Sequence, residues 1–457
     1  MGEWISYKLK NFLEQYRETH FVNEDTMYGQ ITISKFDGVS FRERKIGKEI
    51  GRKRQFFINL KKYPHTLLFT RQGVAEGSIG LAPKEVDECI ATENMPMFSI
   101  NVAKVLPELL SYLIKSPMFK NKVNSLTPIG SAQKAIHERD LLELEFIFPK
   151  DLNEQMELSN FLNLKVKEID KLFGNIEDDI INLNLLHQTI LQEAIEGKLT
   201  ADWRKQNPVR KGDPDTDAIA LLEKIKQEKQ KMIAEGKIKK EKPLEPIKPE
   251  EIPFELPEGW VWTRLGEITE NITSGSRNWK NFYSENGASF IRSQDIKFDR
   301  LEYDNRVFVD VFGNEEGTRT KVKYGDWLIT ITGGNVGRCA YLANDPGLAY
   351  VNQHVALMRP IQLNIGKFGH LWLIAEYGGR GLLRKSIYGD KPGLNLDQLR
   401  SMIFPLPSLA EQQVIVNQVD KLLTIVDELE SHVKNQKNYV EELMQAVLRE
   451  AFERRVS

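Results

Sequence analysis

Residues Arg42 to Arg54, RERKIGKEIGRKR, carry seven basic and two acidic side chains. Cations this close repel one another unless anions sit between them, and the phosphates of a nucleic acid supply such anions at regular spacing. The chain of 457 residues has a formal net charge of −2, from 63 Lys and Arg against 65 Asp and Glu. It is therefore not built to coat nucleic acid indiscriminately. Any such contact has to come from local clusters, and this stretch is the densest.

Patterns for catalysis do not appear. GKEIG at 47–51 is too short for a phosphate-binding loop and lacks the Lys-Ser/Thr that completes one. No Asp/Asn-Pro-Pro-aromatic motif of an amino-methyltransferase is present. Pro214-Asp215 followed by EKIK at 223–226 superficially resembles a nuclease carboxylate cluster, but the spacing is wrong and the residues fall in a linker. Cys89 and Cys339 lie far apart without CxxC or Cys/His spacing, so neither a disulfide framework nor a structural zinc site is expected. The seven histidines are scattered. GGNVG at 333–337 is no dinucleotide fingerprint and is expected to form a tight hairpin-like turn. Trp279 is expected to pack beneath its own loop.

The elements that must position such clusters follow from a repeat. Leu162, Val166, Ile169, Phe173, Ile176, Ile180, Leu183, His187, Ile190 and Ala194 alternate steps of four and three, the heptad seam of a long helix. Adding 257 gives Val419, Leu423, Val426, Glu430, Val433, Lys437, Val440, Met444, Val447 and Ala451, which keep the register with Glu430 and Lys437 as polar exceptions. Glu154-Gln155 recurs as Glu411-Gln412. His187 is expected to be a hydrogen-bonded seam residue that sets register.

The repeat extends into the mixed segments before each helix. Trp4 and Leu9 recur 256 residues later as Trp260 and Leu265, YPHTLLFT at 63–70 parallels YGDWLITI at 324–331, and Ile147-Phe148-Pro149 parallels Ile403-Phe404-Pro405. Phe57–Thr70, Gly77–Leu81, Glu88–Asn101 and Glu143–Pro149 are expected as strands, and Leu106–Asn124 as a helix. This gives an α+β chain in five parts: mixed domains at 1–150 and 258–407, long antiparallel helices at 151–200 and 408–457, and a charged, proline-rich linker with one helix at 201–257. The linker is expected along the surface. Hydrophobic content of 41%, a chain start unlike a signal peptide, and apolar runs all short of the ~20 residues that span a bilayer suggest a cytoplasmic protein without membrane contact.

These features together resemble the specificity subunits of Type I restriction-modification systems. FPLPSLAEQQ at 404–413, EAIEGKL at 193–199, GDWLI at 325–329, GGNVG at 333–337 and GDKPGLN at 389–395 carry the resemblance, which covers essentially the whole chain. The first domain departs from the pattern, with Pro64-His65 for the Gly-Asp turn and SAQKAI at 131–136 for the KPGLN stretch. The resemblance implies two target recognition domains, each reading half of a split DNA sequence, and an antiparallel helix pair with a pseudo-two-fold axis. It also implies docking of two methyltransferase subunits, and of restriction subunits where present. Catalysis and cofactor, S-adenosylmethionine, would then belong to the partners, and this chain would have neither cofactor nor metal.

Within that reading, arginine suits guanine and phosphate, asparagine and glutamine suit adenine, and lysine supplies charge. The candidate DNA contacts are Arg42, Arg44, Lys45, Arg52, Lys53, Arg54, Arg71, Gln72 and Lys134 in the first domain. In the second they are Ser274, Ser276, Arg277, Asn278, Lys280, Arg292, Gln294, Thr332, Asn335, Arg380, Arg384, Lys385 and Lys391. Two alternatives remain: a self-contained restriction or modification enzyme, and a coiled-coil adaptor without sequence readout. The missing motifs disfavour the first, and the size of the mixed domains disfavours the second.

Overall fold

The computed structural model describes residues 3–35, 38–51, 53–126, 135–275, 279–310, 315–387 and 393–453. Six sequence candidates, Arg52, Lys134, Ser276, Arg277, Asn278 and Lys391, lie outside them, as does the side chain of Lys280. The chain divides into two compact units: Met1–Asp179 with Val433–Ser457, and Ile180–His432.

In the first unit Trp4–Lys8 pairs antiparallel with Glu145–Pro149, and Leu9 N donates to Leu144 O at 2.9 Å. A four-stranded antiparallel sheet follows, in the spatial order Leu13–Tyr16, Met97–Ile100, Thr66–Phe69, Ile79–Leu81. Its interior run Thr66-Leu67-Leu68-Phe69 is buried throughout because both faces are covered. Leu67 and Phe69 join one core with the helix residues Leu109, Leu110 and Leu113, whereas Leu68 points the other way, towards Phe56 and Ile58. The expected single helix at 106–124 is two, Pro107–Lys115 and Pro117–Ser125. Pro117 forces Ser116 into the extended region, and its hydroxyl then caps the second helix by accepting from Phe119 N at 3.2 Å.

A further five-stranded sheet, in the order Thr19–Phe21, Arg54–Phe57, Ile90–Ala91, Met27–Ser34, Gly38–Ile46, was not expected from the sequence. Arg42, Arg44, Lys45 and Arg54 of the basic cluster therefore lie on strands. Of GVSFRERKI only Val39 is buried, so the strand carries no apolar alternation by which to read it.

The second unit repeats this frame. Val261–Arg264 pairs antiparallel with Ile403–Leu406, and Leu265 N donates to Met402 O at 2.9 Å. Its antiparallel sheet runs Thr269–Ser274, Val355–Pro360, Trp327–Thr330, Cys339–Tyr341, the same order as in the first unit. Trp327 lies against the helix Ile365–Ile374 and donates from Nε1 to Gly366 O at 2.6 Å. A Cβ on Gly369 would stand 2.1 Å from its Cζ2, so only glycine admits the indole there. The paired strands correct one expected match. Leu144 faces Leu9 as Met402 faces Leu265, so Pro149 corresponds to Pro407 rather than Pro405. Both proline carbonyls accept from the glutamine that opens a long helix, Gln155 at 2.8 Å and Gln412 at 2.9 Å.

The long helices span Leu152–Ile195 and Leu409–Glu453, 44 and 45 residues. In the first unit Leu162, Ile169 and Ile176 are buried, and Leu162 shares a core with Leu448, Ala451 and Phe452. The early turns of the first helix thus meet the last turns of the second, an antiparallel arrangement. Val166, Phe173, Val433, Val440, Met444 and Val447 are half-buried. In the second unit Leu183, Ile190, Ala194, Val419 and Val426 are buried, with His187 and Leu423 half-buried. Ile180 departs from the expected seam at 40% exposure. The second helix places Glu430 and Lys437, both exposed, at seam positions in its own middle turns, so the apolar stripe thins there.

The linker is ordered against the second unit. Its helix, Ala218–Ala234, buries Leu221 and Ile225 completely and is capped by Asp217, which accepts from Ile219 N at 3.0 Å. The following extended run is held by Arg264, which donates to Glu245 O, Pro246 O and both carboxylate oxygens of Glu251. The Lys/Glu-rich composition describes mainly the outward face of this helix, while Lys229 turns inward to Gly266 O and Glu241.

Candidate nucleic-acid interface

Strand direction gathers the polar groups of the second unit at one end of its four-stranded sheet. Ser274 lies opposite Ala356, Thr330 opposite Val355, and Ile329 opposite Cys339. Ser274, the turn 331–338 and Asn352-Gln353-His354 therefore all leave the sheet at the same end. The turn is the expected tight one, with Gly337 at φ 87° donating to Thr330 O at 2.9 Å. Thr332 hydrogen-bonds His354 Nδ1, and His354 Nε2 lies 3.0 Å from Gln353 Nε2. Thr332, Asn335, Gln353 and His354 are half-buried, so the scaffold fixes these groups while leaving part of each accessible. Sequence reasoning missed Gln353 and His354. Their signal is a polar triplet between the apolar strands Ala349–Val351 and Val355–Pro360.

Three of the second-unit candidate arginines are engaged by partners within the protein. Arg292 donates to the two oxygens of buried Asp295 at 3.0 and 2.9 Å and to Asn305 O at 2.7 Å, which occupies its fork. Arg384 is paired with Glu376. Arg380 is 3% exposed, and it donates to Phe298 O at 2.6 Å with its guanidinium carbon 3.2 Å from the Phe298 ring centroid. Burial brings its pKa down to about 10, still charged at neutral pH. Gln294 and Lys385 are exposed. Trp279 is buried against Phe282, Phe290 and Tyr350, as expected.

His370, near Arg380, supplies a pH-dependent stability contribution. Although an edge of the residue reaches the surface, its Nε2 is enclosed without a partner, and burial pushes the ring down to about 4. A folded pKa below the unfolded value of ~6.5 means that the contribution is complete above that pH. It is lost as pH falls towards 4, because the unfolded chain takes up the proton first. The loss is expected to be no more than about 3 kcal/mol. Denaturant unfolding at pH 7.5 and 4.5, compared with His370→Phe, isolates it; an equal pH dependence in the variant refutes it.

In the first unit the equivalent sheet end carries Thr70, Arg71 and Gln72. Arg71 is engaged in the same way: its Nε and Nη2 donate to Glu138 at 3.0 and 2.5 Å. Burial alone would raise the Glu138 carboxyl, but the bonds from Arg71 hold it below the usual range. Gln72 is exposed. The accessible cations lie on the five-stranded sheet. Gln30 pairs with Glu43 and Ile31 with Phe41, which leaves Arg42 as the extra residue of a β-bulge, a device that re-aims a side chain. Arg42 and Arg44 are exposed; Lys45 lies 3.1 Å from Glu43 and Lys53 2.6 Å from Glu24. Arg54 is exposed opposite Phe21, which is itself 72% exposed. Exposed ion pairs of this kind contribute ~0–1 kcal/mol, so phosphate can replace the carboxylates at little cost.

Two copies of one α+β frame, each followed by a long helix and differing in the polar groups at its loops, define a duplicated two-unit chain. Its relatives are specificity subunits of Type I restriction-modification systems. Residues 257–438 match the family model described as Type I restriction modification DNA specificity domain. The chain is 30% identical over 274 residues to the Type I restriction enzyme EcoAI specificity subunit of Escherichia coli, covering 59% of this chain and 44% of that protein. It is 27% identical over 339 residues to the EcoEI specificity subunit of the same species, covering 67% and 53%. The chain thus spans about half the length of these relatives. A solved structure from work on complex assembly and conformational transition of the type I R-M system shares the fold, with a TM-score of 0.66 at 19% identity over 99% of this chain and 97% of that one. No helix among the described residues is long and apolar enough to cross a membrane.

Proposed function

We propose that this chain is a DNA sequence-recognition subunit that reads a bipartite target, one half with each α+β unit. It positions two methyltransferase subunits, and restriction subunits where present, on that target. The observation that carries this reading is the pairing of one repeated frame with two unlike polar sets. The first unit offers Arg42, Arg44, Lys45, Lys53 and Arg54; the second offers Ser274, Thr332, Asn335, Gln353 and His354. Identical frames with different hydrogen-bonding edges suit two different half-sites. The chain itself performs no chemistry, and S-adenosylmethionine binds the partner. Mapping methylated adenines in the host genome with and without this chain tests the role: a split motif is expected to vanish with the chain. Methyl transfer by the purified chain alone would favour a self-contained enzyme instead.

The charged strand makes a separate expectation. Changing Arg42, Arg44 and Arg54 together to Ala should weaken binding to all sequences alike. The log–log salt slope should shallow by about 0.9 for each phosphate no longer neutralised. An effect confined to one base position would make the strand a base reader rather than a phosphate clamp.

A further inference from the structure

Phe298 is a large apolar side chain held out into solvent by a stiff support. It sits at the tip of a tight hairpin closed by Lys297 N to Arg300 O at 2.9 Å, Glu302 N to Asp295 O at 2.9 Å, and an antiparallel bridge between Ile296 and Leu301. The root is fixed, since Asp295 is buried in the fork of Arg292 and Ile296 is fully buried. The tip is fixed from below by Arg380, which takes both the Phe298 carbonyl and one face of its ring. Phe298 is nevertheless 45% exposed, so what remains open is the opposite face and the ring edge.

The support is unfavourable by itself. Arg380 is buried with Nε and Nη1 unpartnered, and one carbonyl and a π-face offset the desolvation of such a cation only in part. A merely structural tip would be better served by burying the ring and leaving the arginine in water. The arrangement instead fixes the orientation of an exposed aromatic face, which reduces the ordering entropy when something stacks on it.

The hairpin leaves a second four-stranded sheet of this unit, ordered Tyr283–Ser284, Phe308–Val309, Ala288–Ile291, Ala349–Val351, where that sheet continues through Asn352 into the Ser274 and His354 end of the first. Residue 292 follows the strand Ala288–Ile291, whose last residue pairs with Val351 next to Asn352-Gln353-His354. Asn352 O accepts from Gly275 N at 3.1 Å. On the other side, a Cβ at Gly337 of the 333–337 turn would lie 3.9 Å from Leu383, on the same helix as Arg380. An aromatic face on a hairpin that rises where the two sheets join, near hydrogen-bonding side chains, matches the stacking of a nucleic-acid base better than the flat apolar patch of a protein contact.

We propose that Phe298, seated on Arg380, stacks its free face on a DNA base unstacked from the duplex. This contact rests on the DNA-reading role proposed for the chain and adds a positioning residue that hydrogen-bond readout alone does not supply.

The test uses the chain assembled with its methyltransferase subunits and a duplex carrying the mapped methylated motif. Phe298→Ala is expected to weaken binding by about 5- to 150-fold, with the salt slope unchanged because every phosphate stays neutralised as before. Phe298→Trp should restore affinity, whereas Phe298→Leu, apolar without a π-face, should behave like the alanine variant. 2-Aminopurine placed through the motif should brighten at one position in the alanine complex, where the base no longer has its stacking partner. Leucine binding as well as phenylalanine would overturn the proposal, as would an alanine variant that needs more methyltransferase subunit to assemble but binds DNA normally once assembled. A wild-type complex that binds no duplex sinks this contact together with the DNA-reading role. A wild-type complex that binds the motif no better than Phe298→Ala sinks the contact alone.

Discussion

Replacing Glu411 by alanine is expected to destabilise the second unit by about 3–5 kcal/mol, the cost of leaving a buried ionic cluster without its anion. Glu411 lies in the first turn of the second long helix and is 2% exposed. One carboxylate oxygen accepts from Thr200 Oγ1 at 2.6 Å and from Arg204, and the other accepts from Trp260 Nε1 at 2.8 Å. A single side chain therefore ties the segment that follows the first long helix, the opening strand region and the start of the second helix. The positive end of the helix dipole favours the charge there. Alanine strands a largely buried guanidinium, a hydroxyl and an indole N–H together. Glu411→Gln keeps one acceptor oxygen but loses the charge and turns an amide donor towards the remaining donors, and should still cost less than alanine. A drop in denaturation midpoint that Arg204→Leu partly relieves in the double variant would confirm the coupling. An alanine variant as stable as wild type would show that water serves the three donors equally well.

The same position shows what the sequence could convey. Glu411-Gln412 is legible as a repeat of Glu154-Gln155, and the glutamines do play one role twice, each bonding a proline carbonyl at a helix start. The glutamates do not: Glu154 is half-buried at the surface, whereas Glu411 anchors a buried cluster. A repeat reveals a shared backbone, because apolar periodicity is set by packing; it does not reveal which copy has recruited distant partners. The heptad seam is readable for that reason, and the charged strand Gly38–Ile46 is not, since it buries only Val39 and has no apolar period to read. Arginines pose the opposite difficulty. Arg71 looks free until Glu138, 67 residues away, closes on it. Arg292 is readable in principle, with Asp295 three residues on, but Arg380 depends on a ring 82 residues earlier. Phe298 does not stand out in the sequence because one apolar residue in a polar loop carries no periodicity.

Inserting one heptad at matched points in both long helices is expected to lengthen the spacer of the methylated motif by about three base pairs while leaving both half-sites unchanged. Each helix contributes residues to both compact units, divided at Asp179/Ile180 and at His432/Val433. Seven residues added at each division lengthen the helical path between the units by about 10 Å at ~1.5 Å per residue. Base pairs rise by ~3.4 Å, so the added path equals about three of them. A whole heptad returns every seam residue to its own side, which an insertion of three or four would not. Inserting the heptad in one helix only gives the necessary contrast, because the buried residues Leu162 and Ile169 in one unit and Leu183 and Ile190 in the other could not then both keep their partners. That variant should abolish methylation of every motif rather than shift its spacing. An unchanged spacer in the matched double insertion would mean that the helices do not set the half-site distance, and altered half-sites would mean that readout extends beyond the two α+β units.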